Sequence, residues 1–297
     1  MPQITANGIP LEYEDYGDPA HPPILLIMGF GAQLTLWPIE LVEALVERGF
    51  RVIRYDNRDV GLSHKFHGVK APGIIKMTIL NKFGITPKVP YTLEDMANDG
   101  VGLLNALGLE RAHIVGASMG GMIAQHVAAK HADKALTLTS IFSTTGNPKL
   151  PAAKKEAMKV LITRPASLEE EVMVDHGVKL ARTIGSPGYP ADEERLRDRV
   201  RVSVRRSIYT EGPTRHLSAI VADGDRREML KDVAVPTLVL HGEDDPLVPV
   251  EGGRDTAANI PGAKLKTIPG WGHDLPMELV DTIADEIAGH AKGAVPA

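Results

Sequence analysis

The chain contains no cysteine, and this absence excludes several kinds of chemistry. Disulfide bonds, thiolate nucleophiles, cysteine-ligated zinc and iron–sulfur clusters all require a thiol, so none of them can be built from this sequence. A reducing cytoplasm is the natural location for a chain without cysteine. The first sixteen residues also lack a basic region followed by an apolar one, which is the pattern of a secretory signal peptide. We therefore expect a cytoplasmic protein.

A large excess of charge and a long apolar run are also missing. The chain carries 33 Lys and Arg against 38 Asp and Glu, which gives no electrostatic basis for binding nucleic acid or an anionic membrane surface. The longest apolar runs, at 24–28 and 237–240, are far shorter than the roughly 20 residues that span a bilayer. With 43% hydrophobic residues in a chain of 297, the composition suits one globular α/β domain, or a core with one inserted subdomain.

Strand-like and helix-like segments alternate in the first and last parts of the chain. Asn7-Gly8 predicts a hairpin turn at the start, because both residues tolerate positive φ. The short continuous apolar run at 24–28 then predicts a strand buried on both faces of a sheet. The strands are predicted at Ile24–Met28, Arg51–Tyr55, Ala112–Gly116, Ala135–Ile141, Pro236–His241 and Ala263–Ile268, and the helices at Pro38–Arg48, Thr92–Leu107, Met119–Lys130, Gly252–Asn259 and Glu278–Ala291. This alternation predicts a doubly wound, mostly parallel α/β sheet.

The middle of the chain departs from this pattern. Helical segments follow one another there without a convincing strand, separated by breaks rich in glycine and proline. They are predicted at Pro151–Thr163, Ser167–Thr183, Ala191–Ile208 and Pro213–Ala222, with Ser167 and Glu170 at the spacing of an N-terminal cap. We therefore predict an α/β core formed by residues 1–144 and 223–297, with a helical cap inserted at 145–222.

The segment Gly116-Ala117-Ser118-Met119-Gly120 matches the pattern G-x-S-x-G between a predicted strand and a predicted helix. In this setting the pattern forms a nucleophile elbow, a strained turn that exposes a serine hydroxyl at the N-terminus of a helix. The helix dipole there favours developing negative charge. The alternative is a glycine-rich turn that is structural or binds phosphate, although a dinucleotide fingerprint would place glycine where Ser118 stands. We predict that Ser118 is a nucleophile.

A serine nucleophile needs a base to take its proton. In α/β sheets that carry a nucleophile elbow, this base follows the last strand. His273 stands there on a glycine-flanked loop and is predicted to be that base. The acid that orients His273 is expected after the preceding strand, where Asp244 and Asp245 both occur. Asp245 is preferred because it has the spacing G-x-x-D-x-x-x-P, and Asp244 is the alternative. Asp274 adjoins the histidine and is poorly placed to reach its Nδ1.

The tetrahedral intermediate of acyl transfer needs two hydrogen-bond donors for its oxyanion. We expect these to be the backbone N–H of Met119, directly after the nucleophile, and that of Phe30, in the glycine turn after the first buried strand. The alternative is that this turn has no catalytic role. Aromatic side chains predicted near the floor of a substrate pocket are those of Phe30, Trp37, Phe142 and Trp271.

Taken in order, these motifs resemble those of the α/β-hydrolase superfamily along essentially the whole chain. They are G-F-G at 29–31, D-N-R-D-V-G-L-S at 56–63, the elbow at Ser118, the Asp245 loop and His273. The stretch R-Y-D-N-R-D at 54–59 is similar to the esterase branch that contains aclacinomycin methylesterase. This resemblance implies an esterase with a helical cap and no metal or organic cofactor. Many members have His-Gly where this chain has Met28-Gly29, a change that leaves the backbone donor in place.

Two further polar groups are assigned structural roles. Asp56, Arg58 and Ser63 are expected to form local hydrogen bonds that brace the loop near the elbow. Six arginines between 195 and 206 are interleaved with acids, which favours a solvated helix face over a binding surface.

We therefore predict a serine carboxylic-ester hydrolase, a carboxylesterase-type enzyme that acts on a small-molecule ester through an acyl-enzyme on Ser118. A hydrolase of C–C bonds and a cofactor-free perhydrolase of haloperoxidase type would use the same three groups. A ligand receptor with slow turnover is the alternative outside catalysis. Dehalogenases and epoxide hydrolases are disfavoured, because those relatives have Asp where Ser118 stands. No nucleic-acid or membrane partner is expected, and the natural ester and the oligomeric state are left open.

Overall fold

Eight strands form a single mixed sheet in the computed structural model, which describes residues 3–73, 77, 79–80, 85 and 87–294. They are β1 (Gln3–Ala6), β2 (Ile9–Tyr16), β3 (Pro23–Ile27), β4 (Arg51–Tyr55), β5 (Ala112–Ala117), β6 (Ala135–Ile141), β7 (Thr237–Gly242) and β8 (Lys264–Ile268). Their order is β1-β2-β4-β3-β5-β6-β7-β8, with β2 antiparallel to both of its neighbours and all other pairs parallel. The predicted doubly wound, mostly parallel sheet is confirmed.

The predicted helices are also present, with ends shifted by a few residues. The helices within the described residues are α1 (Ile39–Glu47), α2 (Leu93–Ala106), α3 (Met119–Lys130), α4 (Lys155–Ile162), α5 (Glu170–Ile184), α6 (Glu193–Arg206), α7 (Gly212–Asp223), α8 (Arg227–Leu230), α9 (Glu251–Asn259) and α10 (Val280–Ala294). Helix α8 was not predicted, because a single turn carries no helical periodicity. None of these helices has the length and apolar character needed to cross a membrane.

The parallel strands β3–β7 are buried on both faces, and their alternate residues face opposite layers, whereas the edge strand β8 exposes Lys264, Leu265 and Lys266. In β3, Ile24 and Leu26 pack in a cluster with α1 and α10, whereas Leu25 and Ile27 pack in a second cluster with α2 and α3. This two-sided burial explains the unbroken apolar run of β3. The carboxyl ends of the parallel strands meet at one edge of the sheet, so the loops that carry the predicted site residues lie together.

The predicted cap corresponds to helices α4–α7, which lie between β6 and β7. Val174, Val178 and Leu196 form a small apolar cluster of their own between α5 and α6. The division into a core (1–144 and 223–297) and a cap (145–222) stays a prediction, and its outermost residues, 1–2 and 295–297, lie outside the described residues.

One prediction about these helices is wrong, and a second holds only in part. Glu169 is the N-cap of α5, and the Ser167 hydroxyl instead accepts a hydrogen bond from the Glu169 N–H at 3.3 Å in the preceding turn. The arginine run of α6 is not uniformly solvated either. Arg205 is exposed, but the side chain of Arg206 is only 8% exposed and forms an ion pair with Asp56. Helix α6 therefore brings a buried charge to the body of the protein.

Candidate active site

Ser118 lies in the turn between β5 and α3, with a φ of 58° and a ψ of −121°. This backbone conformation is unfavourable for a residue that has a Cβ atom. Gly116 and Gly120 make the turn possible. A Cβ on Gly116 would lie 2.1 Å from the Gly120 carbonyl oxygen, and a Cβ on Gly120 would lie 2.0 Å from the Ile27 carbonyl oxygen. The two glycines of the motif are therefore required by close approach of the backbone.

Hydrogen bonds on the β6 side hold this turn in place. The Ser118 N–H donates to the Ile141 carbonyl at 2.9 Å, and the Ser143 hydroxyl donates to the Ser118 carbonyl at 2.8 Å. Ser118 is half-buried at the N-terminus of α3, where the helix dipole favours developing negative charge. Its hydroxyl is thus presented on a fixed backbone in a favourable field.

His273 connects the Ser118 hydroxyl to a carboxylate. Its Nε2 lies 2.9 Å from Ser118 Oγ, and its Nδ1 lies 2.6 Å from Asp245 Oδ2. A carboxylate oxygen can only accept, so Nδ1 carries the hydrogen and Nε2 accepts from the hydroxyl. The three groups predicted from sequence are therefore brought together in the arrangement that nucleophilic acyl transfer requires.

The Asp245 carboxylate is itself held by the backbone. Its Oδ1 accepts hydrogen bonds from the N–H groups of Leu247 and Val248, at 2.8 Å each. The side chain has no exposed surface, so water does not compete for the contact with His273. These bonds leave Oδ2 directed at the imidazole, which fixes the ring and its tautomer.

The other two carboxylates near His273 bind different partners. Asp244 is exposed and accepts a hydrogen bond from the Gly270 N–H at 2.8 Å. Asp274 accepts one from the Ser186 hydroxyl. Burial raises the pKa of Asp274, although the bond from Ser186 acts in the opposite direction. The geometry therefore favours Asp245 over Asp244 as the partner of His273.

The predicted oxyanion donors flank the elbow. Within the described part of the chain, the backbone N–H groups of Phe30 and Met119 donate to no protein acceptor. The glycine turn passes close to the nucleophile, since a Cβ on Gly29 would lie 3.0 Å from Ser118 Cβ. Two unused donors near the hydroxyl are what an oxyanion requires, and their catalytic use stays a prediction.

The aromatic residues predicted at the pocket floor occupy different positions. The Phe142 ring packs on the imidazole of His273, with 4.6 Å between ring centroids, and on Trp271 at 5.6 Å. Trp271 and Trp37 have no exposed surface and belong to the core cluster beneath α1 and α10. The prediction that these two indole rings line a pocket finds no support in this burial.

Two residues that no sequence pattern marks hold the His273 loop. The Ile184 carbonyl accepts a hydrogen bond from the His273 N–H at 2.8 Å, and the Ser186 hydroxyl accepts one from the Gly272 N–H at 2.9 Å. Ile184 is the last residue of α5 and Ser186 lies just beyond it, in a segment whose sequence indicates only a break between helices. A contact between residues 86 apart in the chain leaves no local pattern, so no sequence signal could have found it.

Other histidines have partners away from Ser118. His113 in β5 bonds through Nδ1 to the Thr137 hydroxyl at 2.9 Å, and burial lowers its pKa to about 4. His126 in α3 lies 2.7 Å from Asp223. These partners give both histidines structural roles. Within the residues that the structure describes, no group of three or more His, Asp or Glu side chains could hold a metal ion.

Comparison with known proteins gives the same fold. Residues 22–278 match a family model described as alpha/beta hydrolase fold. The rhodomycin D methylesterase DauP of a Streptomyces species is 29% identical over 98% of each chain. The bifunctional esterase/perhydrolase DCH of Acinetobacter calcoaceticus is 25% identical over 95% of this chain and 96% of that protein. The crystal structure of the enol-lactonase from Burkholderia xenovorans has a TM-score of 0.72 at 26% identity, covering 98% of this chain and 100% of that chain.

These comparisons confirm the resemblance to the α/β-hydrolase superfamily and its methylesterase branch. They also confirm the predicted class of enzyme, a carboxylesterase-type hydrolase. The family match extends over most of the chain and includes the elbow, the Asp245 loop and His273. The chain belongs to the α/β-hydrolase fold family.

Proposed function

We propose that the protein hydrolyses carboxylic esters through an acyl-enzyme on Ser118. The observation that carries this proposal is the hydrogen-bonded series from Ser118 through His273 to Asp245, with separations of 2.9 and 2.6 Å. The positive φ of Ser118 supports it, because a turn with only a structural role would gain nothing from strain at a serine. The unused N–H groups beside the elbow supply the remaining requirement of acyl transfer.

In the proposed reaction, Ser118 Oγ bonds to the ester carbonyl carbon while its proton passes to His273 Nε2. Asp245 stabilises the resulting imidazolium through Nδ1–H. The carbonyl oxygen becomes an oxyanion that accepts hydrogen bonds from the backbone N–H groups of Phe30 and Met119. The bond to the alcohol oxygen then breaks, and His273 returns the proton to that oxygen. A water molecule then attacks the carbonyl carbon of the acyl-enzyme while His273 Nε2 takes its proton. The bond between the acyl group and Ser118 Oγ breaks, His273 returns the proton to Oγ, and the carboxylic acid leaves.

Methyl esters of small molecules are the first natural substrate class to test, because the DauP relative is a methylesterase. The acyl or alcohol group is proposed to lie beneath helices α4–α7, where the half-buried Phe30 offers apolar surface. A cytoplasmic location stays a prediction.

The test is hydrolysis of p-nitrophenyl acetate, butyrate and octanoate by the intact protein and by Ser118→Ala. We expect the substitution to lower kcat by at least about 10⁴-fold, because the acyl group loses the atom that it bonds to. A burst of p-nitrophenolate in the intact protein would report the acyl-enzyme. The order of rates along the three chain lengths would describe the pocket.

The matched control is Ser167→Ala, which removes a hydroxyl from the turn before α5 and is expected to leave kcat unchanged. No hydrolysis of any ester by the intact protein, or equal rates in the protein and in Ser118→Ala, would contradict the proposal. The first result would instead favour a slow-turnover receptor.

Perhydrolysis is a second candidate, because the DCH relative is a bifunctional esterase/perhydrolase. Hydrogen peroxide would then replace water as the attacking species on the acyl-enzyme and release a peracid. In acetate buffer with bromide, the released peracetic acid would oxidise bromide to hypobromous acid, which brominates an organic acceptor. Bromination that depends on peroxide would therefore reveal this activity, and Ser118→Ala should abolish it together with ester hydrolysis.

A further inference from the structure

His216 lies on α7, in the predicted cap, yet contacts the glycine turn that carries a proposed oxyanion donor. Its side chain has no exposed surface. The Nε2 atom lies 2.8 Å from the Arg58 carbonyl oxygen, and the Nδ1 atom lies 3.2 Å from the Gly31 backbone nitrogen. One imidazole thus joins the oxyanion turn to the 56–63 segment, from a helix about 185 residues away in sequence.

The two contacts allow only one protonation state of His216. A carbonyl oxygen can only accept, so Nε2 must carry a hydrogen, and an amide N–H can only donate, so Nδ1 must be bare. The imidazole is therefore neutral and protonated on Nε2. Burial supports this state by lowering the pKa of His216 to about 4, although the bond to Arg58 acts in the opposite direction.

The turn itself depends on contacts of this kind. Gly31 has a φ of +62° and packs against Pro213 at the start of α7. It lies beyond the end of β3, outside the sheet, so no neighbouring strand holds this backbone. The Asn57 amide fixes the other end by donating to the Met28 carbonyl at 2.8 Å. The Gly31 N–H belongs to the peptide that directly follows Phe30, and His216 is its hydrogen-bond acceptor.

We propose that His216 is a positioning residue for the oxyanion hole, because its bond to the Gly31 N–H fixes the orientation of the Phe30 N–H. This inference rests on the proposed esterase function. It implies that the predicted cap sets the geometry of the reaction centre as well as covering it. A donor that is misdirected by a fraction of an ångström stabilises the oxyanion less but binds the ground-state ester equally well.

The test compares two substitutions that divide the contacts of His216. His216→Gln places an amide near the Nε2 position and can still donate to Arg58, but it has no acceptor near the Nδ1 position. His216→Asn places an acceptor near the Nδ1 position and keeps the bond from Gly31. We expect His216→Gln to lower kcat by about 10- to 100-fold with little change in KM, and His216→Asn to retain most of the activity.

A transition-state analogue reports the oxyanion hole directly. A trifluoromethyl ketone adds Ser118 Oγ to its carbonyl carbon, and the resulting oxyanion occupies the same donors. Its inhibition constant should rise in His216→Gln by the same factor as kcat falls. His113→Gln is the matched control, because His113 is also a buried histidine with a lowered pKa but contacts Thr137 instead of the turn. It is expected to leave kcat and inhibition unchanged.

Equal loss of kcat in the Gln and Asn variants, with unchanged inhibition, would overturn the proposal. So would a ¹⁵N spectrum of the intact protein in which His216 carries its proton on Nδ1, a measurement that needs no variant to fold. If Ser118→Ala retains full turnover, the esterase function itself is wrong and this role falls with it. If Ser118→Ala is inactive while His216→Gln keeps full kcat, only the positioning role is wrong.

Discussion

Ser118 carries the proposed nucleophile on a backbone that most residues avoid. Its φ of 58° belongs to a conformation that costs on the order of 1–3 kcal/mol for a residue with a Cβ. Three other described non-glycine residues have positive φ. Asn7 lies in the first hairpin turn, but Asp59 and Phe142 serve the same region, since Phe142 packs on His273 and Asp59 binds Arg215. Strain is therefore concentrated around the site, where the surrounding contacts hold it.

This strain can be measured by comparing Ser118→Gly with Ser118→Ala. Both variants lose the hydroxyl and should be inactive. Glycine adopts positive φ without steric cost, whereas alanine keeps the Cβ, so we expect Ser118→Gly to be more stable by about 1 kcal/mol. Urea unfolding of the two proteins gives this difference. Equal stabilities would mean that the turn stores no strain at this residue.

The choice between two adjacent carboxylates gives a second prediction at this scale. Asp245→Asn is expected to lower kcat by about 10³- to 10⁴-fold, because an amide no longer fixes the tautomer of His273 or stabilises its imidazolium. Asp244→Asn changes the neighbouring, exposed residue in the same way and should leave kcat unchanged. Steady-state kinetics on p-nitrophenyl butyrate compares them. The opposite pattern would transfer the role to Asp244.

Among the elements, α6 and α7 are attached to the 56–63 segment by buried ion pairs. Arg206 Nη1 lies 2.6 Å from Asp56 Oδ2, and Arg215 Nε lies 2.7 Å from Asp59 Oδ2. Asp56 also accepts a hydrogen bond from the Leu34 N–H at 2.7 Å, so the same carboxylate links α6 to the segment that follows the glycine turn at 29–31. The segment expected to brace the elbow therefore also holds the predicted cap.

Adjacent arginines at the end of α6 test this attachment. Arg206→Gln leaves the Asp56 carboxylate buried without its charged partner, and we expect a loss of about 3–5 kcal/mol in the free energy of unfolding. Arg205→Gln removes an exposed pair with Glu170 and should leave the unfolding midpoint unchanged. Chemical unfolding of both variants decides the matter. Equal, small effects would show that Arg206 contributes no more than a surface charge.

Local patterns predicted the elements, because strand runs and helical periodicity are each contiguous in sequence. The elbow was predictable for the same reason. The contacts that complete the site join distant residues, such as Asp56 and Arg206, which are 150 positions apart. The choice of Asp245 over Asp244 depends on which side chain the loop turns inward. Neither feature has a sequence period, so only the folded chain reveals it.

Across the whole molecule, buried titratable groups couple the fold to pH in both directions. Burial lowers the pKa of His113 and of His216 to about 4. Burial raises the pKa of Asp99, in spite of its bonds with Arg58. Burial also acts to raise the pKa of Asp59, but the bonds from Arg215 and Tyr91 outweigh it and the pKa is lowered. The change of stability with pH is therefore the sum of opposing contributions from these groups. The contribution of one group is best isolated by comparing the pH dependence of stability in the intact protein and in a variant that lacks this group.

His113 provides such a comparison. Between pH 6.5 and about 4 the unfolded chain binds a proton at His113 that the folded chain does not, so stability falls as the pH falls through this window. The loss of unfolding free energy from this one group reaches about 3 kcal/mol at the lower end of the window. The free energy of unfolding of His113→Gln should therefore decline less steeply than that of the intact protein, whatever its value at pH 7. Urea unfolding at half-unit pH steps measures both curves. A His113→Gln curve that runs parallel to that of the intact protein would contradict the prediction, because it would mean that His113 takes up its proton equally in the folded and unfolded chains.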